Sequence, residues 1–264
     1  MAAVDGLNPD LDAALLARIE DAGLNASAPP QQRWLDGWLL RFSPGKAKRA
    51  RCVNAVAPGI RPSAQKLAQC AAVFESALLP LIVRITPFTL PAELDAQLGE
   101  QGLRRFDETR VMVLPDLARI EAAALDPRYS IRAIALEPFA QRIGSLRGSS
   151  LAQRQAHAER LANAPVPFSA FEVRNDGEVV ACGQFALEGD LVGLYDIFTA
   201  PEARGRGLAQ WLCRRMLVEA RERGAAHAYL QVDSDNHAAR AVYFRLGFRD
   251  GYSYHYRTRD PSVA

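Results

Sequence analysis

The chain predicts an α+β fold in which a mixed central sheet is flanked by helices. Three observations predict it. The second half contains an antiparallel meander marked by turn residues. A glycine-arginine turn then leads from a strand into a helix, and the first half repeats the same order of elements. With 264 residues, the chain can form one large domain or two smaller ones around a substantial core.

In the second half, Tyr129 to Leu136 reads as a strand, followed by a polar helical stretch, Glu137 to Ala164, interrupted at Gly148-Ser149-Ser150. Phe168 to Val173 and Glu178 to Leu187 are strand-like and flank Asn175-Asp176-Gly177, residue types that accept the positive φ of a tight hairpin turn. Glu188-Gly189-Asp190 turns the chain into a third strand, Leu191 to Thr199. The helix from Leu208 to Arg223 places Leu208, Leu212, Met216 and Ala220 on one face, and Gly224 suits its C-terminal cap. Ala226 to Val232 is another strand, Asn236 to Leu246 a helix stopped by Gly247, and Tyr252 to Thr258 the last strand.

In the first half, Gly37 to Ser43 and Arg49 to Ala57 are strand-like, and Ser63 to Leu79 is helical. Leu81 to Thr86 is a strand, Pro91 to Gln101 a helix and Leu103 to Leu114 a strand. Setting Gly102-Leu103 on Gly247-Phe248 brings the final helix-to-strand turns of both halves into register. The pattern is that of a divergent internal repeat, with copies at 1–126 and 127–264. An unrelated α+β domain is the other reading of the first half.

Composition narrows the function. The 32 basic and 30 acidic side chains leave a net charge of +2, which points to neither a nucleic-acid nor a membrane partner. No apolar run approaches the roughly 18 residues that a membrane helix needs. The first residues lack a basic segment followed by an apolar one, so a cytoplasmic protein is expected. Cys52, Cys70, Cys182 and Cys213 form no C-x-x-C pair and read as small core residues in a reducing compartment; the scattered histidines offer no metal site. The basic run Lys46 to Arg51 reads as a solvated strand or turn, and Trp34 and Trp38 as core residues of the first half.

The chemistry concentrates at Arg204-Gly205-Arg206-Gly207-Leu208-Ala209. Glycines let backbone N–H groups converge without Cβ atoms in the way, the helix start adds a positive dipole end, and the guanidinium groups add charge. Such a turn receives a pyrophosphate. A second run, Asn236 to Phe248, sets Asn236, Ala239 or Arg240, and Tyr243 on one helix face, with Asp235 or Asn236 able to cap it. A dinucleotide fold of the Rossmann type is excluded by the preceding hairpins and the absence of a parallel βαβ series.

The segment from about Tyr129 to Arg257 resembles the GNAT superfamily of acyl-CoA N-acyltransferases. Arg204 to Ala209 matches the family's Q/R-x-x-G-x-G/A signature, and Asn236 to Phe248 its N-x-x-A-x-x-x-Y-x-x-x-G-F run. The first half then looks like a degenerate tandem copy. The resemblance implies that Arg204, Gly205, Arg206, Gly207, Leu208 and Ala209 hold the pyrophosphate of acetyl-CoA, and that Ile197, Phe198 and Thr199 splay from the neighbouring strand to pair with the pantetheine arm. It implies that Asn236 hydrogen-bonds the cofactor and that Tyr243 protonates the departing thiolate. The expected activity is acetyl transfer to a primary amine of a small molecule, peptide or protein terminus, by direct attack in a ternary complex. A binding module for acyl-CoA that has lost transfer is the alternative; Tyr243 and the intact loop argue against it. The base that deprotonates the amine stays open among Glu172, Glu188, Asp196 and Asp233. In the first half Leu98 falls where Tyr243 is, Pro91 where Asn236 is, and Pro62 removes an N–H from the corresponding loop, so this half is expected to bind no coenzyme A.

Overall fold

The central sheet has eleven strands, and its order explains why the two halves cannot be pulled apart. The computed structural model describes residues 6–124 and 126–263. The beginning of the segment inspected for a secretory signal lies outside them. The first half runs α1 (Ala13–Ala26), β1 (Gln31–Leu35), β2 (Trp38–Phe42), β3 (Val53–Ala55), α2 (Ser63–Ser76), β4 (Val83–Ile85), α3 (Leu94–Glu100) and β5 (Arg104–Leu114). The second runs β6 (Tyr129–Ile134), α4 (Leu136–Leu146), α5 (Leu151–Ala162), β7 (Phe168–Asn175), β8 (Glu178–Glu188), β9 (Leu191–Thr199), α6 (Leu208–Glu222), β10 (His227–Asp233), α7 (His237–Arg245) and β11 (Arg249–Thr258). Across the sheet the order is β1-β2-β3-β4-β11-β5-β10-β9-β8-β7-β6.

The series β1-β2-β3-α2-β4-α3-β5 matches β7-β8-β9-α6-β10-α7-β11 element for element. In each half the third and fourth strands pair in parallel, β3 with β4 and β9 with β10. The last strands are exchanged: β11 lies against β4, and β5 lies against β10, with β5 and β11 antiparallel at the centre. The turns before these strands close identically. Leu103 N donates to Leu98 O (3.0 Å) and Phe248 N to Tyr243 O (3.1 Å), each around a glycine of positive φ, Gly102 (+79°) and Gly247 (+94°). Both are Schellman closures, which need the left-handed residue that glycine supplies.

Two features were absent from the sequence reading. Helix α1 begins at Asp12, whose carboxylate accepts from Ala14 N, and buries Leu15, Leu16, Ile19, Ala22 and Ala26. That face packs on Tyr195, Tyr229, Tyr252 and Tyr254, so the first helix covers the second half's strands. The edge strand β1 precedes the predicted first strand, and Arg49 to Ala57 divides into a 3₁₀ turn at Lys48–Ala50 and the short β3. The opposite face of the second half is covered by α6 and α7, with Leu208, Leu212, Met216 and Tyr243 in one core. Helices α2 and α3 complete a separate core with Trp38, fully buried, and Leu40. Trp34 instead stays 63% exposed on β1. All four cysteines are buried and free. Among the described residues no helix is long and apolar enough to cross a membrane.

Candidate active site

Strand β9 parts from β10 partway along. Their parallel ladder ends at Leu194 opposite Leu230, although β9 continues to Thr199 and β10 to Asp233. On its other side β9 carries a bulge against β8, between the Gln184–Tyr195 and Cys182–Phe198 pairs. Asp196 sits in that bulge with φ +53°, a left-handed conformation that a bulge imposes. The extra residue bends β9 and opens a gap beside Ile197, Phe198 and Thr199.

That gap leads into a cleft of about 840 Å³ between β9, α6 and α7. Ile197, Phe198, Thr199, Arg204, Gly205, Gly207, Leu208, Ala209, Asn236 and Tyr243 all line it. Arg206 does not: its guanidinium turns back to the Glu202 carbonyl (3.1 Å) and the Tyr129 hydroxyl (3.5 Å). Gly205 and Gly207 both hold φ +75°, and a Cβ built on either meets no atom within 4 Å. The glycines are therefore required by the backbone path, and they face open space. Gly207 caps α6 without a side-chain bond, leaving the first-turn amides directed at the cleft. An open cradle of helix-start amides beside Arg204 fits a pyrophosphate.

A second cavity, of about 420 Å³, lies on the other side of β9. It shares Arg147, Ile197, Asn236, Ala239 and Tyr243 with the first, so the two meet at Tyr243. Tyr243 is only 8% exposed, and its ring packs edge-on to Phe248 with centroids 6.1 Å apart. Burial, with Cys213 beside it, pushes the phenol well above its ordinary value, against a smaller pull from Arg147; it stays protonated. No described group hydrogen-bonds its hydroxyl. Asn236 caps α7 by accepting from Ala239 N (3.1 Å), which commits its carbonyl oxygen and leaves its amide nitrogen.

The four candidate bases separate. Glu172 is fully buried and held by Arg132, Arg142 and Arg174, and it lines neither cavity. Glu188 accepts from Asn25 and lies apart as well. Asp196 and Asp233 line the second cavity. Asp196 accepts from Arg147 (2.6 Å) and Gln184 (2.7 Å), and its Oδ2 lies 3.3 Å from His157 Nε2. Burial opposes its charge, but His157 and Arg147 outweigh that and hold the carboxyl far below the usual range. His157 belongs to α5, which forms one wall with Gln153, Arg154 and Arg160. The sequence marks that stretch only as a polar helix, and the fold shows what its polar face meets. The basic run from Lys46 likewise lines the cavity through Lys46 and Arg49, together with Ala26 and Ser27 from the end of α1.

The corresponding loop of the first half is filled by the chain itself. Ile60 N (3.0 Å) and Arg61 N (2.8 Å) donate to the carboxylate of Asp36, from the β1–β2 turn. These two amides hold that carboxyl below its ordinary value. Lys66 closes the loop by donating to Asp36 O (3.1 Å) and Pro58 O (2.5 Å).

A mixed sheet whose parallel strands part beside a glycine-turned helix start is the architecture of a GNAT acyltransferase. Residues 14–257 match the family described as probable histone acetyltransferase Rv0428c C-terminal, and the chain belongs to that family. It is 24% identical over 234 residues to the uncharacterized N-acetyltransferase YobR of Bacillus subtilis (strain 168), covering 86% of this chain and 92% of that one. A GCN5-related N-acetyltransferase from Kribbella flavida has the same fold, with a TM-score of 0.65 at 17% identity, over 94% of this chain and 95% of that one. A tandem GNAT protein from the clavulanic acid biosynthesis pathway aligns with a TM-score of 0.60 at 17% identity, over 90% and 88% of the two chains.

Proposed function

We propose that this acetyltransferase moves an acetyl group from acetyl-CoA to a primary amine, with both bound at once. The observation that carries this reading is the meeting of two cavities at Tyr243: a module that merely held acyl-CoA needs only the first. Acetyl-CoA, when bound, supplies the acyl group as a thioester. Arg204 and the amides of Gly205 to Ala209 would hold its pyrophosphate, Ile197 to Thr199 would present their backbone to the pantetheine arm beside Arg204, whose Nε donates to the Thr199 carbonyl (3.3 Å), and Asn236 would offer its side-chain amide. Tyr243 keeps a proton at Oη for the leaving sulfur. Asp196, firmly ionised, attracts the incoming ammonium and orients His157. His157, held through Nε2 beside the Asp196 carboxylate (3.3 Å), takes the proton on its other ring nitrogen. The copies at 1–126 and 127–264 divide the labour: the second carries the acyl-donor cleft, and the first supplies the far wall of the acceptor cavity.

Isothermal titration with acetyl-CoA tests the assignment. One site per chain is expected, with no heat from Gly205→Val, whose β-branched side chain neither accepts φ +75° nor leaves the cradle open. Two sites would assign a second one to the first half. Undiminished affinity in the variant would remove the phosphate-loop assignment.

A further inference from the structure

The acceptor cavity carries an excess of positive charge that the protein itself leaves unneutralised. Lys46, Arg49, Arg147, Arg154 and Arg160 line it, against the carboxylates of Asp196 and Asp233. Asp196 is already engaged by Arg147. The remaining cations have neutral partners or none among the described residues. Arg49 donates to the Tyr254 hydroxyl (3.1 Å), and Arg160 to the Ala26 carbonyl (2.9 Å). The Nε atoms of Arg49 and Arg154 are buried without any acceptor. Asp233 is exposed and already accepts from the amide of Asp235. Neutral acceptors satisfy donor geometry but not charge, and gathering like charges in a partly dry cavity costs free energy unless an anion joins them. Burial is the main cause that lowers the basicity of Arg160; Asp196 opposes it, and Arg49 adds to it.

Resting on the transferase reading above, we infer that the acceptor bears a carboxylate or phosphate besides its amine, and that Lys46, Arg49 and Arg160 receive that group. The junction at Tyr243 and Ile197 takes the amine end. The cationic wall, built from the first half and α5, takes the other. A cavity of about 420 Å³ accommodates a small metabolite. A lysine-rich protein tail would bring further positive charge to the same wall.

The test is kcat/KM by thiol release over matched acceptors: α-amino acids against their amides, phosphoethanolamine against ethanolamine, and spermidine and a lysine-rich peptide as cationic probes. The carboxylate and phosphate arms show which anion the wall prefers. Anionic acceptors should exceed their uncharged counterparts by about tenfold or more, the size of one charge-assisted contact. Arg49→Gln and Arg160→Gln should erase the difference through KM, while the calorimetric affinity for acetyl-CoA stays unchanged. Lys46→Ala, at an exposed position, should narrow it without threatening the fold. The inference is overturned if a protein that binds acetyl-CoA turns over amides, spermidine or the basic peptide equally well or better, or turns over no anionic acceptor. It is also overturned if all three variants keep the discrimination. Failure of the wild type to bind acetyl-CoA would overturn the transferase reading itself, and the inference with it.

Discussion

Asp196 holds a backbone conformation that few side chains accept, and the two cavities meet next to it at Ile197. Short polar side chains tolerate the left-handed region better than branched ones, which makes aspartate a workable residue for a functional bulge. Its contact with His157 was invisible in the sequence, because His157 is distant in the chain and comes from a helix, α5, whereas Asp196 lies on β9. The glycine turn and Tyr243 were legible because their spacing is fixed by one helix start and two helical turns. At this scale, Tyr243→Phe should leave acetyl-CoA affinity nearly intact and lower turnover about 10²-fold, the usual reach of a general acid. His157→Gln should lower kcat well below the wild type while leaving acetyl-CoA affinity unchanged. Steady-state rates at saturating acetyl-CoA read both outcomes; an unchanged kcat in the second variant would exclude His157 as the proton acceptor.

Helix α1 shows what pattern reading misses at the level of an element. Its apolar residues are spaced for a helix and its Asp12 cap is visible, yet nothing local tells which strands it covers. The structure ties it down with Glu20, whose carboxylate accepts from Arg84 and from the Tyr252 hydroxyl (2.7 Å), while the Arg84 guanidinium lies 3.9 Å from the Tyr254 ring centroid. Burial opposes the Glu20 charge, but Arg84 prevails and its carboxyl lies below the ordinary value. A lowered folded-state value means that its stabilisation is present above the unfolded carboxylate's range and is lost as pH falls through the folded value. Glu20→Ala should cost about 3–5 kcal/mol at neutral pH by stranding Arg84. Its urea midpoint should move less than that of the wild type on acidification below about pH 4. Equal acid sensitivity of the two proteins would assign the acid response to other carboxylates.

On the scale of the molecule, the repeat was readable and the exchange of β5 and β11 was not. Hydrophobic patterning sets which residues form a strand and which face is buried, but the same strand can satisfy its ladder beside either half's fourth strand. Gly102 and Gly247 mark where each last strand begins; neither specifies its neighbour. One sheet runs through both halves, with β11 seated between β4 and β5. The whole chain should therefore unfold in one transition by near-ultraviolet circular dichroism and by calorimetry. Residues 1–126 alone, lacking β11, should show no cooperative melt; a separate cooperative transition for that fragment would show that the halves fold independently.

The exchange also sets a timetable for synthesis. β4 and β5 emerge from the ribosome early, but the strand that belongs between them is the last of the eleven to appear. Until then the nascent first half presents two unpaired edges in its own sheet, the kind of surface that recruits other strands. Slowing synthesis between Leu114 and Arg249, while both edges wait for their partner, should therefore lower the soluble yield more than slowing it before Val83.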